Sequence, residues 1–300
     1  MSRTFSIKNK KPLFRNAKIM AVDEVTSLME NLSIYDFPAD QDEFDALLVK
    51  PLNEFECVQL GEEGKSCRTF ELSYSMETAS YDVRVFTPST RTDWKIAINF
   101  IQTLAQHLKT NVIDEEGVRY SAGNISYNYE NDILFGIENL INPEYQGYTI
   151  FGINHPLSFS SAMVEKLKNA EDRIQVFEDI FYENQYLDAY FAKQRFYQKD
   201  DDQQIIAAYT LTQETETILP YEPTVEFSNL HFIKNEQIHQ WLITLVVFDD
   251  PDDAETYSML GELNYFDFIK KLPKNKYRYI DDKYILVDGM TKQELENLLK

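Results

Sequence analysis

Residues 70–108 read FELSYSMETASYDVRVFTPSTRTDWKIAINFIQTLAQHL, and this stretch gives the clearest indication of the fold. Apolar and polar residues alternate in 70–76 and again in 81–85, which is the pattern of two strands with one buried face each. The short link between them favours an antiparallel hairpin. Thr90 and Asp93 then have capping-box spacing, and the apolar residues that follow recur at helical spacing. The sequence therefore predicts a strand–strand–helix unit here.

The rest of the chain mixes further strands with helices. The segment from about 158 to 196 predicts one long helical segment, or two abutting helices, in the middle of the chain. Its apolar spacing is heptad-like from Met163 to Phe181 and fails at Asn184 and Asp188. Residues 205–211 and 241–248 favour strands, and the second is apolar enough to be covered on both faces. Residues 277–280 and 284–287 flank a tight turn. The sequence thus predicts an α+β fold with mostly antiparallel sheets packed against amphipathic helices.

The length of 300 residues is comfortable for two closely packed cores. The best candidate boundary lies between Pro143 and Pro156. We therefore expect an N-terminal α+β subdomain over 1–147, followed by the long helix and a C-terminal α+β subdomain over 148–300. No flexible linker lies at this boundary, so the two halves are expected to pack tightly.

The chain is strongly acidic, with 50 acidic against 29 basic residues and a formal charge of -21. Such a surface repels the phosphate backbone of nucleic acids and an anionic membrane, so neither is expected as a partner. Two interpretations remain open. The charge either spreads evenly and keeps the protein apart from its neighbours, or gathers on one face that docks a basic protein partner.

We expect neither a signal peptide nor a membrane-spanning segment. The first ten residues contain no apolar core of signal-peptide length, and the longest apolar run, 241–248, is too short to span a bilayer. Cys57 and Cys67 are the only cysteines, which is fewer than a disulfide scaffold of this size would carry. We therefore expect reduced thiols and a cytoplasmic location.

The sequence contains no recognisable catalytic or cofactor-binding motif. Gly61 to Ser66 (GEEGKS) looks like the end of a phosphate-binding loop, but Gln59 stands where that loop needs glycine, and a strand follows in place of a helix. The nucleophile elbow, the zinc-protease motif and the dinucleotide-binding fingerprint are all absent. The sequence accordingly assigns no catalytic residue, no cofactor and no metal.

Short acidic runs are the first candidate binding sites. Four carboxylates crowd the turn after the apolar strand 241–248: Asp249, Asp250, Asp252 and Asp253. An EF-hand loop would need glycine at position 254 and glutamate at 260, where this chain has Ala and Leu. The cluster can attract a hard cation or a basic partner, or it is an ordinary solvated turn. Asp200–Asp202 and Asp114–Glu116 are weaker instances of the same pattern.

His155 is the second candidate binding residue. It lies in Gly152-Ile-Asn-His-Pro156, between a predicted strand and a predicted helix, where functional residues often occur. The competing interpretation is a structural turn residue. The other three histidines are too scattered to form a metal site by spacing.

Several turns together resemble a known family. These are Thr87–Trp94 leading into the amphipathic helix, Leu104-Ala105, the turn at Glu116-Gly117, and Phe151–Pro156. The resemblance is to a family of proteins of this length from Gram-positive bacteria that is described only as a domain of unknown function. It implies a bacterial, cytoplasmic origin, and it brings no activity and no catalytic residue.

Three functional hypotheses follow. The leading one is a non-enzymatic binding or regulatory protein that uses its acidic surface against a basic protein partner. The alternative is an enzyme or small-ligand binder whose site is assembled from residues distant in sequence. A third hypothesis is a homodimer formed through the aromatic residues between Phe177 and Tyr197.

Overall fold

A computed structural model of the protein describes residues 2–9, 18–35, 37, 40–142, 148–198 and 204–300. The chain divides into two units, Met1–Tyr186 and Leu187–Lys300, each built around its own core. The acidic run Asp200–Asp202 and the boundary residue Pro143, both considered above, lie outside the described residues.

The first unit contains a large antiparallel sheet. Seven strands pair in the order β2-β3-β4-β5-β1-β6-β7, and β8 and β9 form a separate hairpin. The bounds are β1 (Ser2–Lys8), β2 (Leu32–Tyr35), β3 (Val58–Glu62), β4 (Phe70–Ser75), β5 (Ser80–Phe86), β6 (Val112–Asp114), β7 (Arg119–Tyr120), β8 (Thr149–Phe151) and β9 (Pro156–Ser158). The predicted hairpin is confirmed as β4 and β5, with Leu72 opposite Val83.

Six helices of the described residues belong to this unit: α1 (Val22–Thr26), α2 (Gln41–Leu48), α3 (Arg91–His107), α4 (Glu130–Ile141), α5 (Ser161–Lys168) and α6 (Arg173–Gln185). The predicted capping box opens α3. The Thr90 hydroxyl accepts from the Asp93 N–H at 3.1 Å, and the Asp93 carboxylate accepts from the Thr90 N–H at 3.1 Å. The apolar stripe of α3 is buried against the sheet, and α4, α5 and α6 pack on one another.

The second unit contains two four-stranded sheets, ordered β11-β12-β14-β15 and β10-β13-β17-β16. Its strands are β10 (Tyr190–Phe191), β11 (Arg195–Gln198), β12 (Ile205–Thr212), β13 (Thr217–Pro220), β14 (Ile238–Val247), β15 (Ser258–Asn264), β16 (Tyr277–Tyr279) and β17 (Tyr284–Val287), and its helices are α7 (Tyr265–Lys271) and α8 (Lys292–Leu299). Only β10 with β13 and β12 with β14 pair in parallel among the described strands. The α+β class with mostly antiparallel sheets is therefore confirmed.

Two sequence-based expectations about the middle of the chain need correction. The helical segment consists of two helices, which is one of the two expected forms, but it ends at Gln185 instead of near 196. Four of the residues 190–197 are aromatic, and the segment contributes to β10 and β11. Asp172 separates the helices by capping α6, since its carboxylate accepts from the Gln175 N–H at 2.9 Å. Phe177 and Phe181 are buried as expected, whereas the tyrosines of the same aromatic group at 182, 190 and 197 are exposed.

The unit boundary also lies later than the sequence suggested. The β8–β9 hairpin, α5 and α6 contribute Leu157, Leu167 and Phe177 to the core of the first unit, so the division falls after Tyr186 and not at 147/148. Burial in β14 alternates, with Trp241 and Ile243 buried and the residues between them half-buried. This strand is thus not covered equally on both faces, in contrast to the expectation from its apolar composition.

Candidate functional site

His155 is buried in the first unit, and binding by this residue stays a prediction. Its Nδ1 lies 3.1 Å from the carbonyl oxygen of Pro156, and its Nε2 lies 2.9 Å from that of Asn184 at the end of α6. The neighbouring Gln185 side chain accepts from the N–H groups of Asn154 and His155 and donates to the His155 carbonyl. These contacts fasten the β8–β9 turn to α6, which fits the structural interpretation of His155.

The acidic turn 249–253 belongs to the second unit and is exposed. Two of its carboxylates stabilise the turn itself: Asp250 accepts from the Asp252 N–H, and Asp253 accepts from the Glu255 N–H, both at 3.0 Å. Within the part of the chain that the structure describes, no group of three or more His, Cys, Asp or Glu residues is arranged to hold a metal. Binding by Asp249, Asp250, Asp252 and Asp253 stays a prediction.

Glu115 and Glu116 of the third acidic run, Asp114–Glu116, line a cavity of about 610 Å³ that we call the Arg3 cavity. Arg3 on β1 is mostly buried, and its guanidinium is shared by three carboxylates. Its Nη1 lies 2.7 Å from Glu116 and 3.2 Å from Glu115, and its Nη2 lies 3.6 Å from Asp132. Three carboxylates against one guanidinium leave a surplus of negative charge at this cavity.

The turn between β6 and β7 positions the two glutamates. The buried Asp114 carboxylate accepts from the N–H groups of Glu116 at 3.0 Å and Val118 at 2.9 Å. Gly117 adopts the left-handed φ of +83° that this tight turn requires. Because Glu115 exchanges hydrogen bonds with Thr4 on β1, the turn holds its carboxylates against Arg3.

An aromatic side chain forms part of the same cavity. The Arg3 guanidinium carbon lies 5.3 Å from the centre of the Tyr127 ring, and the Tyr127 hydroxyl donates to Asp132. Burial raises the pKa of Tyr127 well above its usual range, and the hydrogen bond to Asp132 acts in the same direction. Tyr127 is therefore a neutral hydrogen-bond donor that fixes one carboxylate.

A second cavity of about 660 Å³ lies on the other side of α4, and we call it the Arg91 cavity. Arg91 at the start of α3 bonds Glu130 at 3.3 Å and lies 3.8 Å from Asp172. Arg173 also lines the cavity and bonds Glu138 at 2.5 Å. The charged side chains that line it are three acidic (Glu130, Glu171 and Asp172) and two basic.

Helix α4 separates the two cavities and exposes two apolar side chains between them. Leu134 lines the Arg91 cavity and is 39% exposed, while Phe135 lines the Arg3 cavity and is 50% exposed. The opposite face of α4, which includes Ile133 and Ile137, is buried. We call Leu134, Phe135 and the two flanking cavities the α4 surface.

Residue type and spacing give little indication of the α4 surface. Helix α4 and the hairpin of β6 and β7 are local elements. Arg3 lies 113 positions before Glu116, however, and no spacing rule links them. The only signal was Asp114–Glu116 itself, which composition does not distinguish from a solvated turn.

Comparison with known proteins gives a family but no activity. A family model described as a domain of unknown function, DUF4299, matches residues 2–298. No curated protein and no solved structure matches the chain. None of the helices in the described ranges has the length and apolar content that crossing a membrane requires.

Proposed function

The chain belongs to the family described as DUF4299, and we propose that it is a non-enzymatic binding protein that docks a basic segment of a protein partner on the α4 surface. One observation carries the proposal: Leu134 and Phe135 are exposed side by side, between two cavities in which carboxylates outnumber guanidinium groups.

The apolar pair supplies the contact from which a partner would gain affinity. Exposed aromatic and aliphatic side chains that become buried on binding contribute most of the energy of many interfaces. Leu134 and Phe135 extend from a helix whose opposite face is packed, so the backbone of the site is already ordered. An ordered surface loses less conformational entropy on binding than a flexible one.

The charged groups around Leu134 and Phe135 determine which kind of partner can bind. Arg3 and Arg91 each bond a carboxylate of the same surface, and Arg173 bonds Glu138, so an anionic ligand would have to displace those carboxylates. The surplus carboxylates instead attract lysine and arginine side chains. The formal charge of -21 extends this attraction beyond the contact surface and steers a basic partner toward the protein.

Affinity capture with matched surface variants tests the proposal. Leu134→Ser/Phe135→Ser removes the apolar pair, and Val49→Ser/Met76→Ser removes two apolar side chains that are each 67% exposed elsewhere in the first unit. We expect basic proteins from a lysate of the source organism to be retained by the unmodified and control chains and lost by the α4 variant. Once a partner is identified, its Kd for the α4 variant should rise at least about tenfold.

The result that contradicts the proposal is equal retention of all partners by the α4 variant and the control variant. Circular dichroism must show that both variants remain folded, since α4 is part of the first core. Partners that depend on Asp249, Asp250, Asp252 and Asp253 would be identified by a separate variant with asparagine at these four positions.

The small-ligand alternative has one observation in its favour. The Arg3 cavity, at about 610 Å³, lies within the size range of small-molecule sites. A cationic ligand would fit its surplus carboxylates and the nearby Tyr127 ring. Isothermal titration of the protein with arginine amide and with a basic peptide distinguishes a small-ligand site from a protein-docking surface. A small-ligand site binds both compounds, whereas a protein-docking surface binds only the peptide.

A further inference from the structure

The second unit exposes a group of large apolar side chains on one segment. Residues 221–237 connect β13 to β14, and we call them the aromatic loop. Phe227 is 70% exposed, Phe232 is 81% exposed, and Leu230 lies between them with 40% exposure. Three exposed apolar side chains in six residues are unusual for a surface loop. The contacts that hold the loop in place determine how these side chains are presented.

A single glutamine side chain fastens the loop. The Gln194 Nε2 donates to the Tyr209 hydroxyl at 2.5 Å and to the Thr224 carbonyl at 2.6 Å. Its Oε1 accepts from the Glu226 N–H at 3.0 Å and from Asn229 Nδ2 at 3.1 Å. Gln194 thereby binds the loop just before and just after Phe227, and Val225 and Ile233 anchor the loop in the core of the second unit.

One carboxyl oxygen of Glu226 takes no part in this hydrogen-bond network. Its Oε1 atom is buried and has no hydrogen-bond partner among the residues that the structure describes. The titratable groups that interact with its carboxyl are the phenols of Tyr209 on β12 and Tyr284 on β17, and Asp281 in turn raises the pKa of Tyr284. These neighbours are neutral or acidic, so none of them compensates a negative charge on Glu226.

We infer that Glu226 is a pH-sensitive latch, which holds the aromatic loop closed while its carboxyl is protonated and releases the loop when the carboxyl ionises. A neutral carboxyl tolerates this half-buried position, in which Oε1 is buried without a partner, whereas a carboxylate there is unfavourable and is relieved by opening to water. The closed loop presents Phe227, Leu230 and Phe232 in one fixed arrangement, and opening abolishes that arrangement.

The closed loop favours the protonated form of the Glu226 carboxyl, and this preference sets the direction in which pH changes loop opening. Burial raises the pKa of Glu226 from its ordinary 4.5 to about 7 in the closed loop. The stabilisation of the closed loop is therefore complete below about pH 4.5 and is lost as the pH rises through about 7. The equilibrium constant for opening rises by at most about tenfold per pH unit in this window and levels off above it.

Hydrogen–deuterium exchange of the full chain between pH 5.5 and 8.5 tests the latch, with rates corrected for intrinsic exchange. We expect the opening constant of residues 221–237 to increase at least about tenfold between pH 5.5 and 7.5 relative to β14. Glu226→Gln keeps the shape of the side chain without ionising, so its loop should show one opening constant throughout. Equal pH dependence in the unmodified chain and in Glu226→Gln would overturn the inference.

Two control variants exclude other titrating groups of the same loop. Glu236→Gln removes an exposed carboxylate, and His231→Gln removes the imidazole that stacks on Phe232 with ring centres 3.7 Å apart. Both should retain the pH dependence of the unmodified chain, and loss of the dependence in either would refute the assignment to Glu226. If Glu226→Gln fails to fold, the unmodified chain alone still tests the latch. Hydrogen-exchange protection of the loop that stays constant relative to β14 across the pH range would contradict it.

Discussion

Gly136 on α4 lies directly against Pro88, at the turn between β5 and α3. A Cβ atom built on Gly136 would stand 2.5 Å from the Cβ of Pro88 and 2.8 Å from its backbone nitrogen. Only a residue without a side chain permits this approach, and the approach sets how deeply α4 sits. The positions of Leu134 and Phe135 on the same helix depend on it.

Gly136→Ala should therefore destabilise the first unit. The added methyl group forces the helix away from Pro88, and overpacking of this kind typically costs about 1–3 kcal/mol. Urea unfolding followed by Trp94 fluorescence, in a Trp241→Phe background, measures the change in the first unit alone. Gly123→Ala is the matched control, because a Cβ at position 123 meets nothing within 4 Å. Equal stability of the two variants would contradict the assigned role of Gly136.

The buried cap residue Asp93 should make the stability of the first unit depend on pH. Burial raises its pKa to about 6 from an ordinary 3.8, although hydrogen bonds from Thr90 and Arg68 act in the opposite direction. Because the folded state holds the proton more tightly, the contribution of Asp93 is largest below about pH 4 and falls as the pH rises through 6. The total loss is at most about 3 kcal/mol.

Asp93→Asn removes this titration, so the stability of the unmodified chain relative to Asp93→Asn should fall between pH 4 and 6.5. Urea unfolding at several pH values measures it, and the exposed Asp42→Asn serves as the control. A relative stability that rises between pH 4 and 6.5 would mean that the hydrogen bonds to Asp93 affect its pKa more strongly than its burial does.

The two cysteines should differ sharply in reactivity. Burial raises the pKa of the Cys67 thiol well above its usual range, and the charges of Asp93 and Glu178 add to the effect. Cys57 is only half-buried. Since the thiolate is the reactive form, native protein should take up one equivalent of a thiol reagent at Cys57 and a second only after unfolding. Native Cys57→Ser should remain unlabelled, and rapid labelling of this variant would refute the prediction.

Charge on the Arg3 cavity should control affinity for a basic partner. Glu116 bonds Arg3 at 2.7 Å but is largely exposed, so Glu116→Gln is expected to weaken binding only about two- to fivefold. The loss should come mainly from slower association and should shrink at high salt. Stopped-flow association at 50 and 500 mM NaCl measures both effects. Glu77→Gln, an exposed glutamate in the β4–β5 turn, should leave the association rate nearly unchanged, and an equal effect of both variants would speak against the α4 surface.

Elements that depend on neighbouring residues were predictable from the sequence. The capping box at Thr90 forms with the expected partner, Asp93, three residues later. The hairpin around residues 281–283 is also confirmed, since Asp281 accepts from the N–H groups of Lys283 and Tyr284 at the turn. Such contacts span a few residues, so residue type and spacing are enough to specify them.

The end of the middle helix was not predictable in the same way. The heptad-like apolar spacing ends at Phe181, yet a helix was expected to continue to about 196. Asn184 and Gln185 instead contact the turn that contains His155, 29 to 31 positions earlier. Residues 190–197 then join strands of the second unit. Tertiary contacts override helical periodicity when they offer a segment better burial and hydrogen bonding than the helix would.

The α+β class, the main hairpins, the helix caps and the acidic composition could all be predicted from residue patterns, because each depends on composition or on contacts within a few residues. Which charges meet depends on the three-dimensional fold. The fold places β1 between β5 and β6, so that Arg3 bonds Glu116 across 113 positions, and it brings the half-buried Glu226 close to Tyr209 and Tyr284. These juxtapositions depend on long-range strand pairing, which local residue patterns do not encode.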